Sequence, residues 1–405
     1  FSCQTIQHFC LQEEETMKAV QIKEGIYWVG ALDWHVRNFH GYTTDRGATY
    51  NAYLIMDEKI TLIDTVKAPF AAEMLERISD VVDPAKIDYI ISNHVEMDHS
   101  GALPKLLKVC PNATIVTSSP NGIKGLTAHY GDYSYQPVKS GDSLSIGKRT
   151  LSFVSTPMLH WPDNMVVYCP EERALFSNDA FGQHYCTSCR FDDETDLAIT
   201  LFEAKKYYAN IVMCYGSQAA GAWKIVKELN PEMIIPGHGV IWRSHVAEIL
   251  DAYEKWSTKA PETGALVVFD SMWNSTESIA RAIAEGFSCK GVPVKLVDLK
   301  TEHISNIIPF VLDCKYIAVG SPTLNNNMMP NVAAFLCYLK GLSPKNREAF
   351  AFGSYGWGGQ SVGQVEEELV KCGFNICMDK IRIQYVPSRE QLEEVEAKVE
   401  ALIGA

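Results

Sequence analysis

The 405-residue chain carries 49 Asp and Glu against 36 Lys and Arg, for a formal charge of -13, and 47% of its residues are hydrophobic. That size predicts two or three domains, each with a real core. The acidic balance and the lack of a long basic run exclude nucleic acid and anionic membrane as partners, since both are held through Lys and Arg. No apolar stretch approaches the length needed to cross a bilayer.

Residues 1–16 begin without Met, carry Glu13, Glu14 and Glu15, and precede Met17, where patterned sequence starts. They lack the cationic start and apolar centre of a signal peptide, so they are expected to be leader sequence outside the fold. The twelve cysteines are scattered, as in a cytoplasmic chain that keeps its thiols reduced. Cys186 and Cys189 form the one C-x-x-C. With no second pair to complete a rubredoxin-type or zinc-ribbon site, they are read as ordinary thiols.

From Met17 the pattern predicts short strands, among them residues 25–30 and 51–56, and hence a β-rich start. A strand over 59–65 ends in Asp64, and the spacing of Met74, Leu75 and Ile78 predicts a helix over 69–81. The next strand, over 85–92, runs into His94, Glu96, Asp98 and His99. Two imidazoles and two carboxylates in six residues exceed the needs of one ion. Carboxylate oxygens are hard donors, suited to iron or manganese.

Three more strands end in such residues. The strand over 150–156 precedes His160, the strand over 173–178 precedes Asp179, and the strand over 233–236 delivers His238 between two glycines. Placed past the carboxyl ends of strands, all seven are expected to converge on one edge of a sheet, aimed by short loops and held by a rigid scaffold.

A helical pattern over 242–258 and a break over 260–264 divide the chain into domains at 17–259 and 264–405. The second part opens with the apolar strand 265–270, a polar loop of Ser271, Met272, Trp273, Asn274, Ser275 and Thr276, and a helix over 277–287. Unpaired N–H groups and the helix dipole make such a loop a phosphate site. Strands over 293–298, 316–320 and 348–353 alternate with helical segments, predicting a doubly wound parallel sheet with its ligand at the carboxyl ends of the strands. Two loops lie there: Pro322, Thr323, Leu324, Asn325 and Asn326 after Ser321, and Ser354, Tyr355, Gly356, Trp357, Gly358 and Gly359. Glycines admit a flat ring and the aromatics can stack on it.

H-x-E-x-D-H followed by a lone His, a lone Asp and G-H-G resembles the metallo-β-lactamase superfamily, and specifically its flavodiiron branch, because Glu96 stands where the zinc hydrolases carry a second histidine. The loops of the second part resemble those that bind FMN in flavodoxins, although the phosphate loop has Asn274 nearest the place of the usual glycine. The resemblance covers residues 17–405 and implies an α/β and α+β chain: an N-terminal metallo-β-lactamase-like αββα sandwich, then a flavodoxin-like domain. It implies FMN and two irons, with His94, Glu96 and His160 on one iron, Asp98, His99 and His238 on the other, and Asp179 bridging. It also implies reduction of dioxygen to water, of nitric oxide to nitrous oxide, or both. His40, in the stretch Phe39-His40-Gly41-Tyr42, is then a hydrogen-bond or proton donor near the diatomic; the alternative is a structural turn. The electron donor is a protein such as a rubredoxin, or a reduced deazaflavin, and the assembly is a head-to-tail homodimer or a dimer of dimers.

The extra carboxylate has a physical sense. Three carboxylates against two ferrous ions leave the cluster near neutral, so oxidation does not build up a large positive charge, and hard anionic oxygens favour the higher oxidation state. The rival readings are a glyoxalase-type zinc hydrolase fused to a flavodoxin and a non-enzymatic electron carrier with a structural metal domain.

Overall fold

A computed structural model describes residues 17–258 and 261–404. The expectation for residues 1–16 lies outside the described residues. Two sheets face each other in the first part. One has seven strands and includes, as neighbours, Tyr53–Ile55, Thr61–Ile63, Tyr89–Ser92 and Thr114–Ser118; the other has five, among them Thr150–Ser155, Met165–Cys169, Ala174–Asn178 and Met233–Pro236.

Alternation along these strands builds the layers. Tyr53, Ile55, Ile63 and Ile91 meet Phe153, Val167, Phe176 and Ile235 between the sheets. Their chain neighbours Leu54, Leu62 and Ile90 point the other way, onto Met74 and Ile78 of the helix Ala71–Val81 and Leu103 and Leu106 of Leu103–Val109. On the far side Val166, Leu175 and Ile234 pack under the helices Leu197–Tyr207, Gly216–Leu229 and Val246–Thr258. Both faces of each central strand are thus buried, which explains the near-continuous apolar runs. The result is an αββα sandwich.

The helix expected from residue 242 begins at Val246. Asp192, some fifty residues earlier, accepts the backbone N–H groups of Arg243, Ser244 and His245 at 2.7 to 3.2 Å and holds these residues in a loop. Proximity in space here overrides the local helical pattern.

After Thr258 the next strand is Glu262–Phe269, somewhat earlier than its apolar run suggests. It lies between the parallel strands Val294–Asp298 and Cys314–Gly320, followed outward by Glu348–Tyr355 and a broken edge of Asn375–Ile376 and Ile381–Gln384. Within this sheet the order is second, first, third, fourth, fifth, the flavodoxin arrangement. Helices Ser275–Cys289 and Arg389–Gly404 cover one face. The other face, under Ile304–Asp313, Pro330–Leu342 and Ser361–Lys371, belongs to the same buried cluster as the helices of the sandwich. A π-helical turn, Tyr208–Val212, lies at this junction.

Candidate metal centre and flavin cavity

The strand Tyr89–Ser92 is followed by Asn93, and the strand Ala174–Asn178 ends at Asn178; one belongs to each sheet. Asp64 ties the two ends together, accepting the Asn93 N–H at 2.8 Å, its side-chain amide at 3.0 Å and that of Asn178 at 3.1 Å. The residues that follow these asparagines, His94 and Asp179, therefore face each other across the mouth of the sandwich. This corrects the expectation of a single sheet edge: His94, Glu96, Asp98 and His99 come from the seven-stranded sheet, and His160, Asp179 and His238 from the five-stranded one.

All seven residues come together in two sets. His94, Glu96, His160 and Asp179 form one; Asp98, His99 and His238 form the other. Asp179 lies between them. Its Oδ2 is 3.6 Å from His94 Nε2 and 3.5 Å from His160 Nε2, while its Oδ1 is 2.9 Å from His99 Nε2 and 3.4 Å from His238 Nε2. Glu96 Oε2 lies 3.0 Å from His160 Nε2 and 3.3 Å from His94 Nε2, and Asp98 Oδ2 lies 3.3 Å from His238 Nε2. Donor atoms about 2.0–2.2 Å from a shared ion stand roughly 3–3.6 Å apart in tetrahedral or octahedral geometry. These separations fit two cations sharing one carboxylate.

The electrostatics agree. Burial opposes ionisation of Asp179 and Asp98, yet the neighbouring His99 and His238 hold both carboxyls below the usual carboxylate range. Burial likewise opposes charge on His238, but Asp179 and Asp98 push it up to about 10. Both Asp98 oxygens and Asp179 Oδ2 are buried without a hydrogen-bond partner. Such groups are costly unless a positive charge meets them.

Several groups that the sequence reading passed over orient the ring nitrogens. Asp163 Oδ2 lies 2.9 Å from His94 Nδ1 and also accepts the Val95 N–H at 2.8 Å; the Thr49 carbonyl lies 2.6 Å from His238 Nδ1. Each leaves Nε2 toward the cluster, as metal-bound imidazoles require. Asp163 follows His160 in a Trp-Pro-Asp turn, and Asp64 closes a predicted strand, so an acid at a strand end or turn was the available signal. His184 gave none. Buried beside His238 and hydrogen-bonded to the Tyr42 hydroxyl, it is pushed toward the neutral form by burial and by the His238 charge.

The glycines beside His238 are steric necessities. A Cβ on Gly237 would meet His99 Cε1 at 2.7 Å, and Gly239 has φ +78° with Gln183 in the space a side chain would need. Gly237→Ala is therefore expected to displace His99 and lower metal occupancy of the His99 set at least severalfold. Metal analysis of the purified variant, with the flavin content as internal control, checks this.

A cavity of about 640 Å³ opens onto the cluster, with His40, Glu96, Asp98 and His160 in its wall. His40 occupies the tip of the hairpin formed by Asn38–Phe39 and Tyr42–Thr43, and its Nε2 lies 2.7 Å from Glu96 Oε1.

A second cavity of about 610 Å³ lies at the carboxyl ends of the parallel strands. Met272, Trp273, Ser275, Pro322, Thr323, Asn325, Asn326, Ser354, Tyr355, Gly356, Trp357 and Gly358 line it, joined by Tyr385 and Val386, which the sequence reading did not single out. The other anticipated residues shape the loops. Asn274 has φ +64° and caps the helix Ser275–Cys289, so asparagine takes the left-handed conformation for which the usual loop uses glycine. Asn325, Asn326 and Gly359 also have positive φ. Thr276 is buried, with its hydroxyl 2.8 Å from that of Ser354. Leu324 pairs with Asn327 across the turn. Ser354 and Tyr355 belong to the strand itself, not to the loop after it, because they pair with Ile383 and Gln384.

The cavity size suits a cofactor, and the Ser271 hydroxyl is buried without a partner at the phosphate loop. Trp273 and Trp357 are about 90% exposed, with nothing among the described residues covering them. FMN fits this set. Trp357→Ala is expected to weaken flavin binding about tenfold, the worth of one aromatic stacking contact of roughly 1–1.5 kcal/mol, without changing metal content. Fluorescence titration of the flavin-depleted protein with FMN measures it.

Residues 48–239 match the family described as ODP family beta lactamase, and residues 267–398 match flavodoxin. A nitric oxide reductase of Moorella thermoacetica is 43% identical over 395 residues, covering 95% of this chain and 99% of that protein. A rubredoxin-oxygen oxidoreductase of Megalodesulfovibrio gigas is 42% identical over 396 residues, covering 96% and 98%. The crystal structure of the flavodiiron protein from Giardia intestinalis superposes with a TM-score of 0.92 at 38% identity, covering 95% of this chain and 96% of that one.

Proposed function

Since the chain belongs to the flavodiiron protein family, with its FMN and its diiron centre, we propose that it reduces dioxygen to water, nitric oxide to nitrous oxide, or both. Asp179 carries the reading: one carboxylate presents an oxygen to each of two ligand sets in a chain that also holds a flavin cavity. We assign His94, Glu96 and His160 to one iron, Asp98, His99 and His238 to the other, and Asp179 to the bridge. FMN supplies one- and two-electron transfer, and the irons supply electrons and Lewis acidity.

The chain's own residues do the rest. Asp163 and the Thr49 carbonyl hold the imidazoles in the ligating tautomer. The carboxylates balance the charge of the ions. His40, hydrogen-bonded to Glu96 at the wall of the cavity, is positioned to donate a hydrogen bond or proton to a diatomic bound there. The domains we propose are 17–259 for the diiron unit and 264–405 for the flavin unit. The donor is a rubredoxin-like protein or a reduced deazaflavin, the setting is the cytoplasm, and the working form is a head-to-tail homodimer or a dimer of dimers. No helix among the described residues is long and apolar enough to cross a membrane.

Glu96 weighs against the zinc hydrolase reading, because a hard carboxylate in place of an imidazole favours iron. Purified protein is expected to hold two irons and one FMN per chain. Anaerobic reduction followed by stopped-flow mixing with each gas should then reoxidise both centres within turnover time. Zinc without iron after reconstitution, or reduced centres indifferent to both gases, would refute the proposal.

A further inference from the structure

Among the described residues the hairpin that carries His40 pairs with no larger sheet; Asn38–Phe39 and Tyr42–Thr43 form a two-stranded ribbon of their own. Such a ribbon is marginal in water unless something anchors it. Its turn suits the task, since His40 and Gly41 both have positive φ, as a tight two-residue hairpin needs. The His40 side chain, however, is 69% exposed. Its ring contact is with Phe39 of the same hairpin, and it bonds to Glu96, so its aim at Glu96 depends on the stem.

The stem is held from the flavin domain. The Thr43 N–H donates to Ser305 Oγ at 3.0 Å, and the Thr43 hydroxyl donates to Asn306 Oδ1 at 3.0 Å. Ser305 is fully buried at the start of the helix Ile304–Asp313. Its carbonyl accepts from the side-chain amide of Asn210 at 3.0 Å, and Asn210 Oδ1 in turn accepts the Tyr338 hydroxyl at 2.8 Å. Asn210 belongs to the π-helical turn, which lines the same cavity as the hairpin. One residue of the flavin domain thus holds two walls of the metal pocket, through its hydroxyl and its carbonyl. Within the diiron domain the hairpin is tied through Tyr42 to His184 and through Thr43 to Lys206.

We propose that Ser305 is a positioning residue for the diatomic site, acting through the hairpin to hold His40 over Glu96. This rests on the role given to His40 above. The flavin domain then does more than carry electrons: it completes the substrate pocket of its own chain.

The test uses the full chain loaded with iron and FMN. In Ser305→Ala, backbone amide exchange across residues 38–44 is expected to rise about tenfold, the worth of one net hydrogen bond, with metal and flavin content unchanged. The kcat/KM for the gas should fall by a similar factor. Ser305→Thr, which keeps a hydroxyl, should restore both. In a His40→Ala background Ser305→Ala should cost little more, because the two residues act as one unit. Unchanged hairpin exchange, or a full additive loss in the His40→Ala background, would overturn the proposal. Should Ser305→Ala fail to fold, Asn306→Ala removes the flavin domain's other bond to Thr43, leaves the Lys206 bond in place, and must loosen the same amides. The exchange experiment needs no turnover. A wild-type protein indifferent to both gases would refute the proposed function, while hairpin exchange would still decide the clamp.

Discussion

Asp179→Ala is expected to release both irons and abolish gas reduction, a larger loss than any other single ligand should cause. The side chain has one oxygen toward His94 and His160 and the other toward His99 and His238, so no half of the site survives its removal intact. Losing it also leaves His99 without its nearest counter-charge and His238 with Asp98 alone, and mutual repulsion between any retained cations is no longer offset. Asp163→Asn provides the contrast. Asp163 belongs to neither ligand set; it orients His94 and accepts the Val95 N–H, and changes of that kind cost roughly 10–100-fold in metal affinity or activity. The expected order is therefore near-complete loss of metal for Asp179→Ala and a partial loss confined to the His94 set for Asp163→Asn, with FMN retained in both. Metal analysis and iron spectroscopy on the two variants decide it. An Asp179→Ala protein that keeps two irons and normal turnover would disprove the bridge.

The ligands were legible in the sequence because a metal site on a β scaffold obeys a simple grammar: an apolar run sets the strand, and the residue type just after it does the chemistry. That grammar picked out His94, His160, Asp179 and His238 from segments far apart in the chain. It does not say which strands share a sheet, since pairing depends on register and on contacts remote in sequence. The single sheet edge expected for the site therefore became the mouth between two sheets. The same limit hid Asp64, whose role as a tie between Asn93 and Asn178 exists only once both strand ends have met. In the flavin unit the alternation of strands and helices specified a parallel sheet. Tyr385, by contrast, reaches the flavin cavity through a final strand of only four residues, too short to announce itself by periodicity. Asn274 was legible as a departure from the usual glycine, and its left-handed backbone shows why the departure is tolerated.

Mixing two inactive variants is expected to restore activity, provided that chains can exchange. Within one chain the helix ending at Thr258 and the strand starting at Glu262 leave only a short connection; three residues extend at most about 11 Å. The two units are also locked by a continuous buried cluster and by the Lys205–Asp313 ion pair. They are not free to swing together. The flavin cavity and the metal cavity have no lining residue in common, and Trp273 and Trp357 are left exposed by the described residues. The proposed head-to-tail pair would resolve this, because each chain would then set its flavin loops against the metal pocket of the other, and two-fold symmetry would complete both sites together. A variant with both Trp357 and the phosphate-loop Ser271 replaced to abolish flavin binding should be inactive, as should Asp179→Ala. Heterodimers of the two retain one intact flavin cavity and one intact metal site on opposite chains, so they should recover up to half of the wild-type activity per dimer. Recovery must track the heterodimer fraction measured by native mass spectrometry. Confirmed heterodimers without activity, beside an isolated wild-type monomer that turns over at full rate, would mean that electrons pass from flavin to iron within a single chain.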